Sequence, residues 1–359
     1  MKTRVDLAKA IDIPLKTLTY ILYVKGVNNY YTSFMIDKKN GTQRLIEAPQ
    51  KELKQVQVAL EKLLMAEQVK VWKEKDIHPN LSHAFIKKKG IISNASIHRN
   101  KRFVLNLDLK DFFYSFHFGR VRGFFLKNRD FACSEEVATV IAQLCCYNGR
   151  LPQGAPTSPV ITNLIFQIVD WKILLLAKKY KVDYTRYADD ITFSSYQDIA
   201  SDTEFQQELA RIISGQNFQI QPSKTRAEGR GYRQTVCGLT INEKVNVSKS
   251  YVKEIRLYLY LWERYGYERA QMYLDSDIKK TKENNSDIPQ LSHYLNGKIQ
   301  YMRMIKGNSD DTYKTLRNKF IYLYIPQWKE WEKNILDFCD AVQNSKLSIE
   351  ELNKWYKTI

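Results

Sequence analysis

Between residues 182 and 195 the chain reads VDYTRYADDITFSS, and two adjacent carboxylates, Asp189 and Asp190, stand between runs that alternate like β-strands. Taken alone they are an ordinary solvated hairpin tip, since Asp is a common turn residue. A third carboxylate changes that reading. Asp108 ends the mostly apolar run RFVLNLDL (102 to 109) and is followed by Asp111, Phe112 and Phe113. A strand end beside a hairpin tip would gather Asp108, Asp189 and Asp190 into one cluster, and their repulsion is tolerable where a divalent metal neutralises it. The expected metal is Mg²⁺, a hard cation that takes oxygen ligands and keeps positions open for water and phosphate. Two such ions about 4 Å apart activate an attacking hydroxyl and stabilise a leaving pyrophosphate, which is nucleotidyl-transfer chemistry.

The elements that must carry these groups are legible in outline. YYTSFMIDKKNGTQRLIEAP reads as a hairpin turning at Asn40-Gly41, a strong type I′ signal. KELKQVQVALEKLLMAEQ has helical apolar spacing, and RFVLNLDL reads as a buried strand. TSPVITNLIFQIVDWKILLLAKKY predicts a helix with Ser158 as N-cap and Pro159 at its first position. After residue 250 the pattern turns helical and rich in Tyr, Trp and Lys, with the polar KKTKENNSD (279 to 287) as a surface loop. The tail beyond Pro326 has amphipathic helical spacing, with Ser348 and Glu351 as a capping box. Strands and helices are mixed, so the expected class is α+β.

Charge points to the partner. The 56 Lys and Arg against 39 Asp and Glu leave +17 over 359 residues, a field suited to a polyanion, nucleic acid first. The cationic clusters IKKKG (86 to 90), HRNKR (98 to 102) and YMRMIKG (301 to 307) could follow phosphates, with Tyr301 available for stacking; a solvated face is the plainer alternative. Five cysteines without a C-x-x-C pair argue against a disulfide scaffold or structural zinc. The charged N-terminus lacks a signal-peptide core, and no segment is expected to reach the roughly 18 uncharged apolar residues of a membrane span, so the expected location is the cytoplasm, with no membrane partner.

In order along the chain, NLDLKDFF, LPQGAPTSP, YADD, the Lys of QIQPSKT and VCGLTIN resemble the successive palm motifs of reverse transcriptases. The resemblance runs from RLIEAPQKELKQVQ to LNGKIQYMRMIKG and leaves the C-terminal tail unmatched. It implies a right-hand polymerase with an antiparallel palm sheet and a helical thumb. The implied divisions are fingers with N-terminal helices over 1–103, palm over 104–122 and 150–247, a fingers insertion over 123–149, thumb over 248–325, and a helical C-terminal extension over 326–359.

The resemblance also assigns roles. Asp108, Asp189 and Asp190 hold the two Mg²⁺ ions, with deoxynucleoside triphosphates as substrates. Phe113 falls where an aromatic gate excludes a 2′-hydroxyl; a core Phe beside Phe112 is the other reading. Gln153 and Gly154 match the loop that contacts the nucleotide, Gly allowing close backbone approach. Arg44 matches a residue that clamps the triphosphate with its forked donors, or is a solvated strand Arg. Lys224 matches the position that protonates departing pyrophosphate, or is a surface charge. Asp111 orients the triphosphate through its backbone.

NASIH (94 to 98) is similar to the Asn-Ala-x-x-His signature of retron reverse transcriptases. The likeness implies a structured non-coding RNA as template and primer, a single-stranded DNA product joined to RNA, a role in defence against phage, and room for an effector protein. It places Asn94 and His98 near the RNA, flanked by Arg99, Lys101 and Arg102, with Cys237 and Gly238 near the primer end. Cys237 stands where retrons usually carry Thr, losing a hydroxyl. Abortive-infection and group II intron enzymes, and a non-catalytic RNA-binding scaffold of the same fold, are the alternatives. A scaffold would have no need of the three acids, and the chain lacks the length of a maturase or nuclease domain.

Overall fold

The computed structural model describes residues 2–37, 41–77, 81–281 and 288–343. Asn40 of the expected turn, most of KKTKENNSD and the Ser348–Glu351 pair lie outside them. The chain forms two units, Met1–Val245 and Asn246–Ile359.

In the first unit, runs rich in β-branched and aromatic residues become strands. β1 (Tyr31–Asp37) and β2 (Gln43–Pro49) form an antiparallel hairpin, in register from Tyr31 opposite Pro49 to Asp37 opposite Gln43. β3 (Phe103–Asp108), β4 (Asp183–Tyr187), β5 (Asp190–Ser195) and β6 (Arg226–Gly229) form an antiparallel sheet in the order β4-β5-β3-β6. β7 (Thr235–Val236) and β8 (Leu239–Thr240) make a short separate hairpin. β3 is paired on both sides and buried from Val104 to Asp108, which explains why its sequence is a continuous apolar run rather than an alternation.

Helix Thr157–Lys179 runs through the core of this unit, with helices Lys51–Glu74 and Thr203–Ser214 packed against it. It begins at Thr157 after Pro156, while Ser158, the expected cap, turns inward and donates from Oγ to the Pro152 carbonyl at 2.8 Å. By length and composition this helix would span a membrane, contrary to the expectation for the sequence. The reason is packing, since 67% of its apolar window is buried in the protein and a helix covered on several sides is apolar nearly all round. Past the end of β3, Phe112 enters the core and meets Phe116 at 5.2 Å and Phe166 at 5.5 Å between ring centroids, edge to face.

The second unit is helical among the described residues: Lys249–Tyr265, Tyr267–Thr281, Leu291–Lys306 and Asp311–Gln343. The first of these buries Ile255, Tyr258, Leu259 and Trp262, the i, i+3, i+4, i+7 face its sequence predicts. The last helix runs through Pro326.

One polar network crosses the interior of the first unit. Arg186, on β4, is 0% exposed. Its Nε and Nη2 donate to Asp170 Oδ1 (2.9 Å) and Oδ2 (2.8 Å), and its Nη1 donates to Asn163 Oδ1 (3.2 Å) and the Ala188 carbonyl (3.1 Å). The Tyr184 hydroxyl donates to Asp170 Oδ1 at 2.6 Å. Removing one member of such a pair strands a buried charge, so Asp170→Asn is expected to lower unfolding free energy by about 3–5 kcal/mol. Urea denaturation measures it, and a loss under about 1 kcal/mol would show the pair to be dispensable to the fold.

Candidate active site

The sheet register sets the site. Asp108, the last residue of β3, lies directly opposite Asp190, the first of β5. Opposed residues share a face, with Cβ atoms about 4.5–5.5 Å apart. Asp189 occupies the two-residue turn from β4 to β5, closed by Tyr187 opposite Asp190. The Leu109 amide donates to the Asp189 carbonyl at 3.0 Å and stitches that turn to the end of β3. Ala188, the first turn residue, has φ 56°. Glycine usually takes that position, and a side chain there is strained. The Arg186 guanidinium on the Ala188 carbonyl holds it in place.

Gathering the acids has an electrostatic cost. Burial and the neighbouring Asp108 raise the Asp189 pKa. Asp190 keeps an exposed surface, yet partial desolvation, then Asp189 and Asp108, push its carboxyl up to about 6. Asp108 is compensated by Lys224, whose Nζ donates to both carboxylate oxygens at 2.8 Å. Among the described residues no three acidic, His or Cys side chains already enclose a common point. The donor set fits a hard divalent ion: three carboxylates at adjoining strand ends, two of them with repulsion that a cation would relieve.

A cavity of about 250 Å³ opens on this cluster, and Arg44, Asp108, Asp111, Phe113, Gln153, Asp189 and Lys224 all line it. Arg44 is exposed on β2 and lowers the pKa of Asp189 by its charge. Phe112 and Phe113 both line the cavity and differ in burial: Phe112 is buried in the aromatic core, and Phe113, half-buried, packs on it at 5.6 Å, edge to face. Asp111 has φ 47°, and its carbonyl accepts from the Ser115 amide, closing the turn that presents Phe113. Gly154 has φ 140°, and a Cβ there would lie 2.8 Å from the Glu47 carbonyl oxygen. Glycine is therefore required by the backbone of β2, a different close approach from the one expected with substrate.

The residues expected at an RNA surface separate into two groups. Asn94 and His98 are 0% exposed, enclosed behind the sheet rather than presented to a ligand. His98 Nδ1 pairs with Ser194 Oγ at 2.8 Å and Nε2 with Thr185 Oγ1 at 2.6 Å. Burial, then the charges of His83 and Lys101, lower its pKa to about 3, so the ring is neutral across the physiological range. Asn94 Nδ2 donates to Cys237 Sγ at 3.2 Å. Cys237 (φ 49°) and Gly238 (φ 78°) form the left-handed pair of a type I′ turn between β7 and β8. Burial pushes the Cys237 thiol up to about 12, with the charges of Asp190 and Asp189 contributing. Arg99 and Arg102 are exposed, whereas Lys101 pairs with Asp183 at 2.6 Å beneath the Tyr196 ring.

Tyr114 and Gln221, which sequence reasoning passed over, also line the cavity, and the Gln221 amide donates to the Asp108 carbonyl at 2.8 Å. Adjacency to Phe113 was the only available signal for Tyr114. The supporting pair Arg186 and Asp170 was missed because its partners lie on different elements.

The family described as "Reverse transcriptase (RNA-dependent DNA polymerase)" matches residues 36–241. The chain is 31% identical over 279 residues to the retron Mx65 reverse transcriptase of Myxococcus xanthus, covering 72% of this chain and 62% of that enzyme. It is 33% identical over 259 residues to the retron Ec86 reverse transcriptase of Escherichia coli, covering 70% of this chain and 75% of that enzyme. An apo telomerase structure from Candida tropicalis aligns at 11% identity and a TM-score of 0.48, over 94% of this chain and 69% of that one.

The raised carboxyl pKa makes a testable demand on stability. Asp190 titrates near 6 when folded against 3.8 as the ordinary value, so the folded state holds that proton more tightly. Its contribution is present below pH 3.8 and is lost as the pH rises through about 6. Asp190→Asn should therefore raise the thermal midpoint of metal-free protein at pH 7.5 by about 2–4 °C, a figure discounted for solvent screening, and by nothing near pH 4. Addition of Mg²⁺ should narrow the gap by stabilising the wild type. Equal midpoints at both pH values would show that neither burial nor the neighbouring acids raise the Asp190 pKa.

Proposed function

The chain belongs to the reverse transcriptase family, and from that premise we propose that it is a retron-type RNA-directed DNA polymerase that copies a structured non-coding RNA into single-stranded DNA joined to RNA. The observation that carries the reading is the register of Asp108 opposite Asp190, with Asp189 in the adjoining turn, at one end of a cavity that Arg44, Phe113 and Gln153 also line. Asp108, Asp189 and Asp190 would hold two Mg²⁺ ions, which when bound activate a hydroxyl and neutralise the leaving pyrophosphate. Arg44 is placed for the triphosphate, Phe113 for the sugar, and the backbone around Asp111 for the phosphates. Lys224 neutralises Asp108 here, and its ammonium is available to the departing pyrophosphate once a divalent cation takes over that carboxylate.

On this reading the thumb, residues 248–325, and the helical extension from 326 onward fall within the second unit, and the β1–β2 hairpin belongs to the fingers. Arg99 and Arg102, both exposed, remain the phosphate contacts of the HRNKR stretch. Asn94 and His98 serve the RNA from behind, by fixing the hairpins that face it. A cytoplasmic location, an effector partner and a place in anti-phage defence extend the same reading.

Two experiments test it. Protein purified from cells should carry RNA with DNA attached, whose mobility shifts after a 2′,5′-debranching enzyme or after ribonuclease, with sequencing of the copurified RNA covering a branch already trimmed. Asp189→Asn should retain the RNA and lose the DNA. DNA free of RNA, or primed only from a 3′-hydroxyl, would assign the chain to another class of reverse transcriptase, and undiminished DNA from the variant would overturn the metal assignment. Separately, Phe113→Val should admit ribonucleotides in a primer-extension assay. A variant that stays active and still refuses them would return Phe113 to the core.

A further inference from the structure

Behind the cavity wall lies a pair of polar groups with no task in the reading so far. Glu47, on β2, is 3% exposed. Its Oε2 is buried without a hydrogen-bond partner, and so is the Tyr114 hydroxyl. A buried acceptor and a buried donor each left open are costly, and each is what the other lacks. The two groups lie within electrostatic reach of one another, and the Tyr114 pKa is raised by burial first and then by the charge of Glu47. The Tyr114 ring is clamped from its other side by the Arg150 guanidinium, 4.0 Å from the ring centroid.

Glu47 also touches the second wall of the cavity. Its amide donates to the Gln153 carbonyl at 2.9 Å, and its own carbonyl lies where any side chain at position 154 would clash. Three cavity segments therefore converge on one residue: β2 with Arg44, the Phe113–Ser115 turn with Phe113 and Tyr114, and the loop with Gln153.

We propose that Glu47 is a positioning residue for the incoming nucleotide, acting through the Tyr114 hydroxyl to fix Phe113 and through its backbone to fix Gln153, so that the fingers strand and the palm turn hold one cavity depth. The inference rests on the polymerase reading of the site. Turning the Tyr114 hydroxyl onto the carboxyl satisfies both open atoms and locks the turn that carries Phe113, and loosening it widens the space under the sugar without touching the acids. Affinity and sugar discrimination should respond, and the chemical step should not.

The test uses the full chain with Tyr114→Phe, which removes one oxygen and keeps the ring, alongside Glu47→Gln and the double variant. Equilibrium binding of a deoxynucleoside triphosphate to the protein and steady-state primer extension are both measured. Each single variant should weaken nucleotide binding and raise KM about tenfold, leave kcat within about twofold, and lower the ratio of deoxy to ribo incorporation. The double variant should be no worse than either single one, since both remove the same contact. Unchanged nucleotide binding and discrimination in Tyr114→Phe would overturn the proposal, even if Glu47→Gln fails to fold; so would strictly additive losses in the double variant. A wild type that binds the triphosphate but makes no DNA would overturn the polymerase reading instead, while the binding comparison still decides the role of the pair.

Discussion

The ion pair between Arg186 and Asp170 is the constraint on which the site depends. Both groups lie in the interior, where desolvation costs roughly as much as their attraction returns, so the pair adds little net stability over a well-packed apolar replacement. What an apolar replacement could not do is accept instruction from three directions. The guanidinium plane is fixed by Asp170 on helix Thr157–Lys179, donates to Asn163 about two turns earlier on the same helix face, and with the same nitrogen holds the Ala188 carbonyl. Ala188 is in a left-handed conformation that hairpins usually reserve for glycine, and Asp189 follows it directly. The core helix thus dictates where a surface carboxylate sits. The segment before the first palm strand joins in, with Ser82 Oγ donating to Asn163 Oδ1 at 3.0 Å and the Arg186 amide donating to the Leu81 carbonyl at 2.8 Å.

Against that scaffold the acids are held closer than they would choose. Asp189 and Asp190 bind protons more readily than ordinary carboxyls, first because burial disfavours their charge and then because the neighbouring carboxylates repel it. Lys224 pairs directly with Asp108 and only partly offsets the shifts of Asp189 and Asp190, and its own side chain is 56% exposed, so solvent screens it. A lysine on a short 3₁₀ turn at the cavity mouth is flexible where the carboxylates are fixed. The stability lost to crowding is the counterpart of affinity for a divalent ion.

What could be read in the sequence is what depends on local pattern. β3, the β4–β5 turn with its acids and helix Thr157–Lys179 each announce themselves within a dozen or two residues through apolar runs, turn chemistry or helical spacing. What could not be read depends on distant partners. Asp170 looks like a polar interruption in an apolar helix until Arg186 is brought beside it, and Gly154 looks like a substrate contact until β2 is seen against it. The same limit explains the membrane-like composition of the core helix, because nothing local distinguishes burial in protein from burial in lipid. Phe112 and Phe113 are chemically identical neighbours, and only the turn geometry decides that one is buried in the core and the other half-buried beside it.

The NASIH stretch acts through the interior of the fold. Asn94 and His98 are four residues apart on helix Ile91–Ile97 and its C-cap, hence on one face. That face is turned inward. His98 joins β4 to β5 through Thr185 and Ser194, the strands that carry the Asp189–Asp190 turn. Asn94 reaches the β7–β8 turn at Cys237, whose thiol feels the charge of the same two acids. One short helix therefore pins two hairpins whose tips lie within electrostatic reach of each other, both bent through left-handed non-glycine residues, Ala188 and Cys237. Such conformations persist only when the surroundings over-determine them, and a neutral, doubly bonded histidine is a rigid way to do so. The amide–thiol contact is the softer of the two links: sulfur is a weak acceptor, and Asn94 Oδ1 is left without a partner. Where a hydroxyl replaces that thiol, as the retron pattern would have it, the link gains a stronger acceptor and a donor able to turn toward the Asn94 oxygen, so the substitution bears first on the rigidity of the turn and only through it on whatever lies beyond.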